Sequence, residues 1–179
     1  MSLWIFGYGS LIWRPGFEYL ESRRARLHGW QRRFWQGSHD HRGVPDQPGR
    51  VVTLVETPDG YCDGMAYRVE QDVVSRIFET LDHREKNGYV RREVDLQSLD
   101  PGIGDPVIAA VVYIAATDNH AYLGPAPLPD MVRQIVSSHG PSGANLDYLL
   151  ELAAALRAMN ADDPHVFELA EAASAELDP

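Results

Sequence analysis

The chain has 179 residues, of which 44% are hydrophobic and 23% are charged, a balance typical of one ordinary soluble globular domain. The formal net charge of -10 argues against nucleic acid and anionic membrane surfaces as partners. No run reaches the roughly 18 apolar residues of a membrane helix, and the N-terminus lacks the pattern of a secretion signal. The single cysteine, Cys62, cannot form an internal disulfide, and we interpret it as a small buried residue. We therefore expect a cytoplasmic protein.

Strand-like segments dominate the first two thirds of the chain. In chain order they are LWIF, ARLHGWQRRFW, RVVTLVE, YCDGMAYRV, YVRREVDL and VIAAVVYIAA. Between the fourth and fifth of these, the segment QDVVSRIFETLDHREK has apolar residues at helical spacing and meets a stop at Gly88. This helix carries Glu85 towards its C-terminal end.

The pattern becomes helical after residue 128, with three amphipathic segments. They are LPDMVRQIVSSHG, NLDYLLELAAALRAMN and DPHVFELAEAASAEL. Strands interrupted by one helix and followed by several others indicate an α+β fold, in which a mostly antiparallel curled sheet or small β-barrel has helices packed against it. We predict a single domain over residues 1–179, with its helical part from about residue 129.

The stretch WIFGYGSLIW begins as a buried strand and then turns at Gly7 and Gly9. Such a turn is either an ordinary bend or a place where backbone amides and a hydroxyl meet a small ligand. The segment lacks the spacing of a dinucleotide or phosphate loop and of a nucleophile elbow. Because no histidine motif lies near Ser10, we interpret its hydroxyl as a hydrogen-bond donor and not as a nucleophile.

The segment SHDHRG offers His39, Asp40 and His41 as metal ligands, but it lacks a convincing further ligand, and we predict no metal site. The segment LDHREKNGY is more informative. Its basic residues suit a helix C-terminus, whereas Glu85 is disfavoured there by the helix dipole. The same position raises the pKa of a carboxylate, which suits a group that both takes and returns a proton. A solvated helix end remains the alternative interpretation.

Six segments together resemble the ChaC-type gamma-glutamylcyclotransferases, in the same order over roughly residues 4 to 158. They are FGYGSLIW, RRFWQGSHDHRG, PGRVVTLVE, LDHREKNGY, VYIA and YLGPAPL. The resemblance implies a gamma-glutamylcyclotransferase-like fold, a small β-barrel with flanking helices. It also implies release of 5-oxoproline from a gamma-glutamyl compound, with glutathione giving cysteinylglycine as the other product.

The resemblance also implies the roles of particular residues. The turn Tyr8-Gly9-Ser10-Leu11 matches the substrate-binding loop of the family, Glu85 matches its catalytic acid/base, and Tyr89 falls where related cyclotransferases carry a tyrosine near the substrate. The segments DHRG and PGR match the family pattern without an assigned role. The tail after about residue 160 carries no motif, and we expect it to serve packing or solvation.

A gamma-glutamyl group contains its own nucleophile, the α-amine, and its own electrophile, the γ-carbonyl, so the reaction requires no cofactor and no metal. One carboxylate can take the amine proton and give it to the leaving nitrogen. Two alternatives stay open: a gamma-glutamyl amidohydrolase that uses water, and a non-catalytic module that binds a gamma-glutamyl ligand. In each case the partner is a small molecule. We expect a pocket with an arginine near the substrate, and a monomer.

Overall fold

The computed structural model describes residues 2–84, 88–100, 102 and 106–177. The five long strands are Ser2–Gly7 (β1), Glu21–Ser38 (β2), Gly49–Glu70 (β3), Tyr89–Ser98 (β4) and Val107–Ala115 (β5). Two short strands follow, His139–Gly140 (β6) and Gly143–Ala144 (β7). The helices are Gln71–Arg84 (α1), Leu128–Ser137 (α2), Asn145–Ala158 (α3) and Pro164–Leu177 (α4).

The five long strands close into a barrel in the order β1-β3-β2-β4-β5. Each neighbouring pair within this order is antiparallel. The barrel closes where β1 runs parallel to β5, with Trp4 opposite Ala110 and Ile5 opposite Val111. The prediction of a small, mostly antiparallel barrel with flanking helices is therefore confirmed.

Strand β3 differs from the sequence prediction because it joins two predicted strands into one of 22 residues. His28 pairs with Tyr61 and Trp30 pairs with Glu56, so the residues between Glu56 and Tyr61 bulge out opposite Gly29. Gly29 has a φ of 82°, in the left-handed region that glycine readily adopts. The segment between the two predicted strands is therefore a bulge within a continuous strand pair.

Two apolar clusters hold the helices against the barrel. The larger one joins residues of the barrel, such as Phe6 and Phe34, to the buried faces of α2, α3 and α4. The smaller one lies between α1 and the barrel and contains Ile5, Ile77 and Leu81. Successive residues of a strand point to opposite faces, so β1 contributes Ile5 to one cluster and Phe6 to the other. In the described parts of the chain, we find no helix with the length and apolar character needed to cross a membrane.

Candidate active site

A pocket of about 220 Å³ lies where the loop after β1 meets the barrel, α1 and α3. Most of its walls come from the loop after β1, the end of β2 with the segment that follows it, and the start of β3. Single residues of α1, β4, β5 and α3 complete them. The lining residues are Phe6, Tyr8, Gly9, Ser10, Leu11, Arg14, Gly37, Ser38, Asp40, His41, Arg42, Val51, Val52, Leu81, Tyr89, Tyr113, Ser142 and Tyr148.

The loop after β1 turns tightly into one turn of 3-10 helix, Ser10–Ile12. The turn is closed by hydrogen bonds from the amide of Ile12 to the carbonyl of Gly9 (3.0 Å) and from the amide of Arg14 to the carbonyl of Ser10 (2.8 Å). A Cβ atom at Gly9 would lie 3.0 Å from the Tyr148 hydroxyl oxygen and from a methyl group of Val52. A side chain at this position would make both neighbours shift, so glycine suits this close approach of the loop to the pocket wall.

Tyr8 lies at the bottom of this loop and is 7% exposed. Its hydroxyl donates to the carbonyl oxygen of Tyr113 at 2.6 Å. Burial, together with the neighbouring Tyr89 and Tyr148 hydroxyls, raises the pKa of Tyr8 well above its usual value. Tyr8 therefore stays protonated at neutral pH, and its single O–H proton is already donated within the protein.

Tyrosines also connect the pocket to β3 and α1. The Tyr89 hydroxyl donates to the Val52 carbonyl at 3.2 Å. The Tyr113 hydroxyl donates to a carboxylate oxygen of Asp82 at 2.9 Å, which ties the C-terminal part of α1 to the barrel beside the pocket. Leu81 of α1 lines the pocket as well. The end of this helix is thus held at the pocket by both a hydrogen bond and an apolar contact.

The opposite wall is built around Arg42, which follows β2 and is 8% exposed. Its amide donates to the Ser38 hydroxyl at 2.9 Å, and its guanidinium donates to the Ala144 carbonyl at 3.1 Å. A Cβ atom at Gly43 would lie 2.1 Å from the amide nitrogen of Gly49, so only glycine allows these two backbone segments to pack. This packing accounts for the glycines of the DHRG and PGR segments.

The electrostatic state of Arg42 is unusual for a buried cation. Within the described ranges, which omit residues 85–87, 101 and 103–105, no carboxylate forms an ion pair with its guanidinium. Buried charges in proteins are normally paired, because desolvation of an isolated ion is costly. Arg14 also lines the pocket, but it is exposed to solvent. The pocket therefore presents a buried positive group suited to an anionic ligand.

A second buried arginine, Arg32 of β2, lies behind the loop and outside the pocket lining. Its Nε donates to the Tyr8 carbonyl at 2.7 Å, and its Nη2 donates to the Asp63 carbonyl. Its Nη1 forms an ion pair with Asp163 at 2.5 Å, with side chains only 1% and 12% exposed. Unlike Arg42, Arg32 therefore has a carboxylate partner among the described residues, and all three of its guanidinium nitrogens donate to groups of the protein.

A sequence model of the ChaC-like protein family matches residues 3–176. The chain belongs to the ChaC-like family. It is 43% identical over 182 residues to glutathione-specific gamma-glutamylcyclotransferase 1 of Danio rerio, an alignment that covers 99% of this chain and 92% of that protein. It is 46% identical over 176 residues to gamma-glutamylcyclotransferase 2-3 of Arabidopsis thaliana, covering 95% of this chain and 87% of that protein.

The fold is likewise similar to that of a solved relative. A crystal structure of a yeast gamma-glutamylcyclotransferase specific to glutathione matches with a TM-score of 0.88 at 31% identity, covering 97% of this chain and 96% of that one. A structure titled gamma-glutamyl cyclotransferase, at 16% identity and a TM-score of 0.57, shares the fold alone. The family resemblance read from the sequence is confirmed.

In this ChaC-like protein, the substrate-loop residues named from the sequence lie together. Tyr8, Gly9, Ser10 and Leu11 line the same pocket, and so does Tyr89. Glu85 lies outside the described residues. In the chain it stands four positions after Leu81 and four before Tyr89, both of which line the pocket.

Sequence reasoning did not single out Tyr113, Tyr148, Ser38 and Ser142 as pocket residues. Tyr113 and Tyr148 lie within a strand and a helix whose apolar pattern indicates core, and both are in fact largely buried. The only sequence signal for the second wall is the SHDHRG segment, which carries Arg42. Cys62 is buried as expected, and this burial raises the pKa of its thiol to about 12.

Of the two histidines of the SHDHRG segment, His41 lines the pocket. The His41 Nδ1 atom lies 3.2 Å from the Ser142 hydroxyl oxygen, and both residues line the pocket. Among residues 2–84, 88–100, 102 and 106–177, no three side chains of His, Cys, Asp or Glu are grouped so as to hold a metal ion.

Proposed function

We propose that this ChaC-like protein is a gamma-glutamylcyclotransferase that cleaves glutathione to 5-oxoproline and cysteinylglycine. The observation that carries the proposal is the pocket itself, in which the loop after β1, a buried arginine and the end of α1 come together. Over nearly the whole chain, the relative at 43% identity is named a glutathione-specific gamma-glutamylcyclotransferase, and the one at 46% identity is named a gamma-glutamylcyclotransferase.

The substrate supplies both reacting groups, so the first task of the protein is to hold it folded. The α-amine must approach the γ-carbonyl closely enough to close a five-membered lactam. Orientation of this kind contributes roughly 7 to 11 kcal/mol in well-aligned intramolecular reactions. The narrow pocket between the Gly9 loop and the Arg42 wall is suited to this role.

Binding of the negatively charged groups of the substrate is assigned to the two walls of the pocket. The Arg42 guanidinium, which has no carboxylate partner among the described residues, takes a carboxylate of the substrate, with exposed Arg14 assisting at the rim. The backbone amides of Gly9, Ser10 and Leu11 donate to the substrate α-carboxylate or to the oxygen that becomes negative during attack.

Proton transfer is assigned to Glu85. The α-amine must lose a proton before it attacks, and the leaving nitrogen must gain one. The pocket tyrosine Tyr8 stays neutral, and an arginine does not release its proton at neutral pH. A carboxylate can perform both transfers, and Glu85 stands in the chain between two residues that line the pocket.

We further propose that the protein acts in the cytoplasm as a monomer, as one domain, without nucleic acid as a partner. The strongly negative net charge supports the last point.

Product analysis in oxygen-labelled water tests the reaction. If the α-amine is the nucleophile, glutathione gives 5-oxoproline that contains no label from water. N-acetylglutathione, whose amine can no longer attack, serves as the matched control and stays intact. Labelled glutamate as the first product, or turnover of the acetylated compound, identifies an amidohydrolase instead. Binding of glutathione without any product identifies the non-catalytic module.

A further inference from the structure

We infer that Arg32, held by Asp163 of the C-terminal region, is a positioning residue that orients the Gly9 amide towards the substrate. The inference deepens the proposed function, since it assigns a cause to the geometry of the substrate loop. It also gives a role to residues after 160, where the sequence carries no recognisable motif.

The first step is the contact between Arg32 and the loop. The Arg32 Nε atom donates to the Tyr8 carbonyl at 2.7 Å, while a second nitrogen of the same guanidinium donates to the Asp63 carbonyl of β3. A guanidinium is planar and presents its donors in fixed directions. The carbonyl of Tyr8 is therefore held at a defined angle to the barrel.

The second step follows from the geometry of the peptide group. The Tyr8 carbonyl and the Gly9 amide belong to one trans peptide, so they lie in one plane and point in opposite directions. Since the carbonyl points at Arg32, the Gly9 N–H points away from it. Gly9 lines the pocket and Arg32 does not, so this amide is directed to the pocket side of the loop.

The positive charge adds to this effect. A hydrogen bond from a cation to a carbonyl is stronger than one between neutral groups, and it polarises the peptide that accepts it. The Gly9 N–H consequently becomes a better donor to an anion in the pocket. An uncharged donor at position 32 would orient the peptide less firmly and polarise it less.

The third step is the anchor at the C-terminal region. Asp163 pairs with Arg32 across 131 positions of the chain. The same side chain accepts a hydrogen bond from the Val166 amide at 3.2 Å, as the N-cap of α4. The carboxylate thus fixes Arg32 in one rotamer while it starts the helix. Docking of α4 and the orientation of the substrate loop are linked through this one residue.

The first experiment separates the ion pair from the helix cap. Asp163→Ser keeps a favoured N-cap residue but removes the carboxylate that reaches Arg32. Asp162→Ser makes the same exchange at the exposed neighbouring position and is the matched control. We expect kcat/KM for glutathione, per folded molecule, to fall roughly 3- to 10-fold in Asp163→Ser and to stay within about 2-fold in Asp162→Ser.

The second experiment changes the arginine. Arg32→Lys keeps the charge but loses the fixed donor directions. Arg50→Lys is the control, because Arg50 is also buried and also donates to backbone carbonyls, those of Phe34 and Gly124, away from the pocket. We expect kcat/KM to fall roughly 10-fold or more in Arg32→Lys and to change by less than about 2-fold in Arg50→Lys.

A readout independent of activity is the amide proton signal of Gly9 in the NMR spectrum of the unliganded protein. We expect an upfield shift in Arg32→Lys and Asp163→Ser, because the Tyr8 carbonyl then accepts a weaker and less well-oriented hydrogen bond, and no shift in the two control variants. Equal losses of activity in the variants and their controls, or an unmoved Gly9 signal in a folded Arg32→Lys protein, would overturn the inference. Absence of cyclotransferase activity in the wild type would refute the proposed function. The amide signal of Gly9 would then still test whether Arg32 orients this amide.

Discussion

Two buried arginines stand on different sides of the same pocket, and their surroundings assign them different roles. Arg32 lies behind the loop that follows β1, where Asp163 neutralises its charge and the backbone carbonyls of Tyr8 and Asp63 accept hydrogen bonds from it. Arg42 lies in the pocket wall, where the described residues provide it with a carbonyl but with no carboxylate. An arginine whose charge is neutralised by a carboxylate of the protein can position the backbone. An arginine without such a partner among the described residues can bind an anionic substrate.

Neither guanidinium releases a proton at neutral pH, so a third group must transfer the protons of the reaction. The largest expected effect is therefore that of Glu85→Gln, which keeps the shape of the side chain and removes its ability to carry a proton. We expect kcat to fall by roughly 10² to 10⁴, the range typical of a general acid/base. Binding of glutathione should survive, and the melting temperature should hold or rise slightly, because the sequence places this charge at the end of a helix.

The control for this measurement is Glu79→Gln, which removes an exposed carboxylate from α1. Its kcat should equal that of the wild type. A folded Glu85→Gln protein that binds glutathione and turns it over at near the wild-type rate would show that the proton passes through another group.

The next largest effect concerns Arg42. Arg42→Gln removes the charge and keeps an N–H donor, so we expect KM for glutathione to rise roughly 10- to 100-fold, as for loss of a charged hydrogen bond. Arg42→Lys should recover part of this loss. Arg14→Gln, at an exposed position in the same pocket, should raise KM by less than about 3-fold, and salt should reduce even this effect.

Steady-state kinetics of the three variants at low and moderate salt provide the measurement. If Arg14→Gln raised KM more than Arg42→Gln did, the assignment of the substrate carboxylate to the buried arginine would be wrong. A loss confined to kcat in Arg42→Gln would instead place this guanidinium at the transition state.

The difference between the two arginines could not be predicted from the sequence. Both stand in the RRFWQGSHDHRG segment, and nothing in that segment tells which one is paired. The pairing depends on Asp163, which lies 131 positions away in the chain and contacts Arg32 in the folded protein. Contacts of this range are set by the tertiary fold, whereas sequence patterns report local structure.

Features determined by local structure were predicted well. The pattern of apolar residues predicted the barrel strands, and the sharp turn at Gly9 drew attention to a loop that lines the pocket. The sequence pattern predicted two strands, RVVTLVE and YCDGMAYRV, where the structure has the single strand β3, because the register with β2 is a nonlocal property. Tyr148 was missed for a related reason. It lies on the helix face that packs against the barrel, and the helical pattern alone does not show that this face borders a pocket.

The smallest expected effect is on stability and concerns α4. Asp163 at the start of this helix pairs with Arg32 and not with Arg42. His165 lies in the first turn of this helix, and its Nε2 atom accepts a hydrogen bond from the Phe34 amide at 3.0 Å. Burial, assisted by the nearby positive charge of Arg33, lowers the pKa of His165 to about 4. The folded protein therefore keeps this histidine neutral at pH values where the unfolded chain, with a pKa of about 6.5, takes up a proton.

The sign of the pH dependence follows from this difference in proton binding. Between about pH 6.5 and pH 4 the unfolded state binds more protons, so the free energy of unfolding falls as the pH is lowered through this range. We expect a contribution of about 2 to 3 kcal/mol from His165 to this change in the free energy of unfolding.

Denaturant titrations at pH 7 and pH 4.5 measure this contribution. The test variant is His165→Gln, whose side chain can still accept a hydrogen bond from the Phe34 amide. The control is His139→Gln, at an exposed histidine. The His165→Gln protein should lose less stability on acidification than the wild type, while His139→Gln should follow the wild type. Equal acid sensitivity in all three proteins would mean that docking of α4, and with it the support of Arg32, does not depend on the charge of His165.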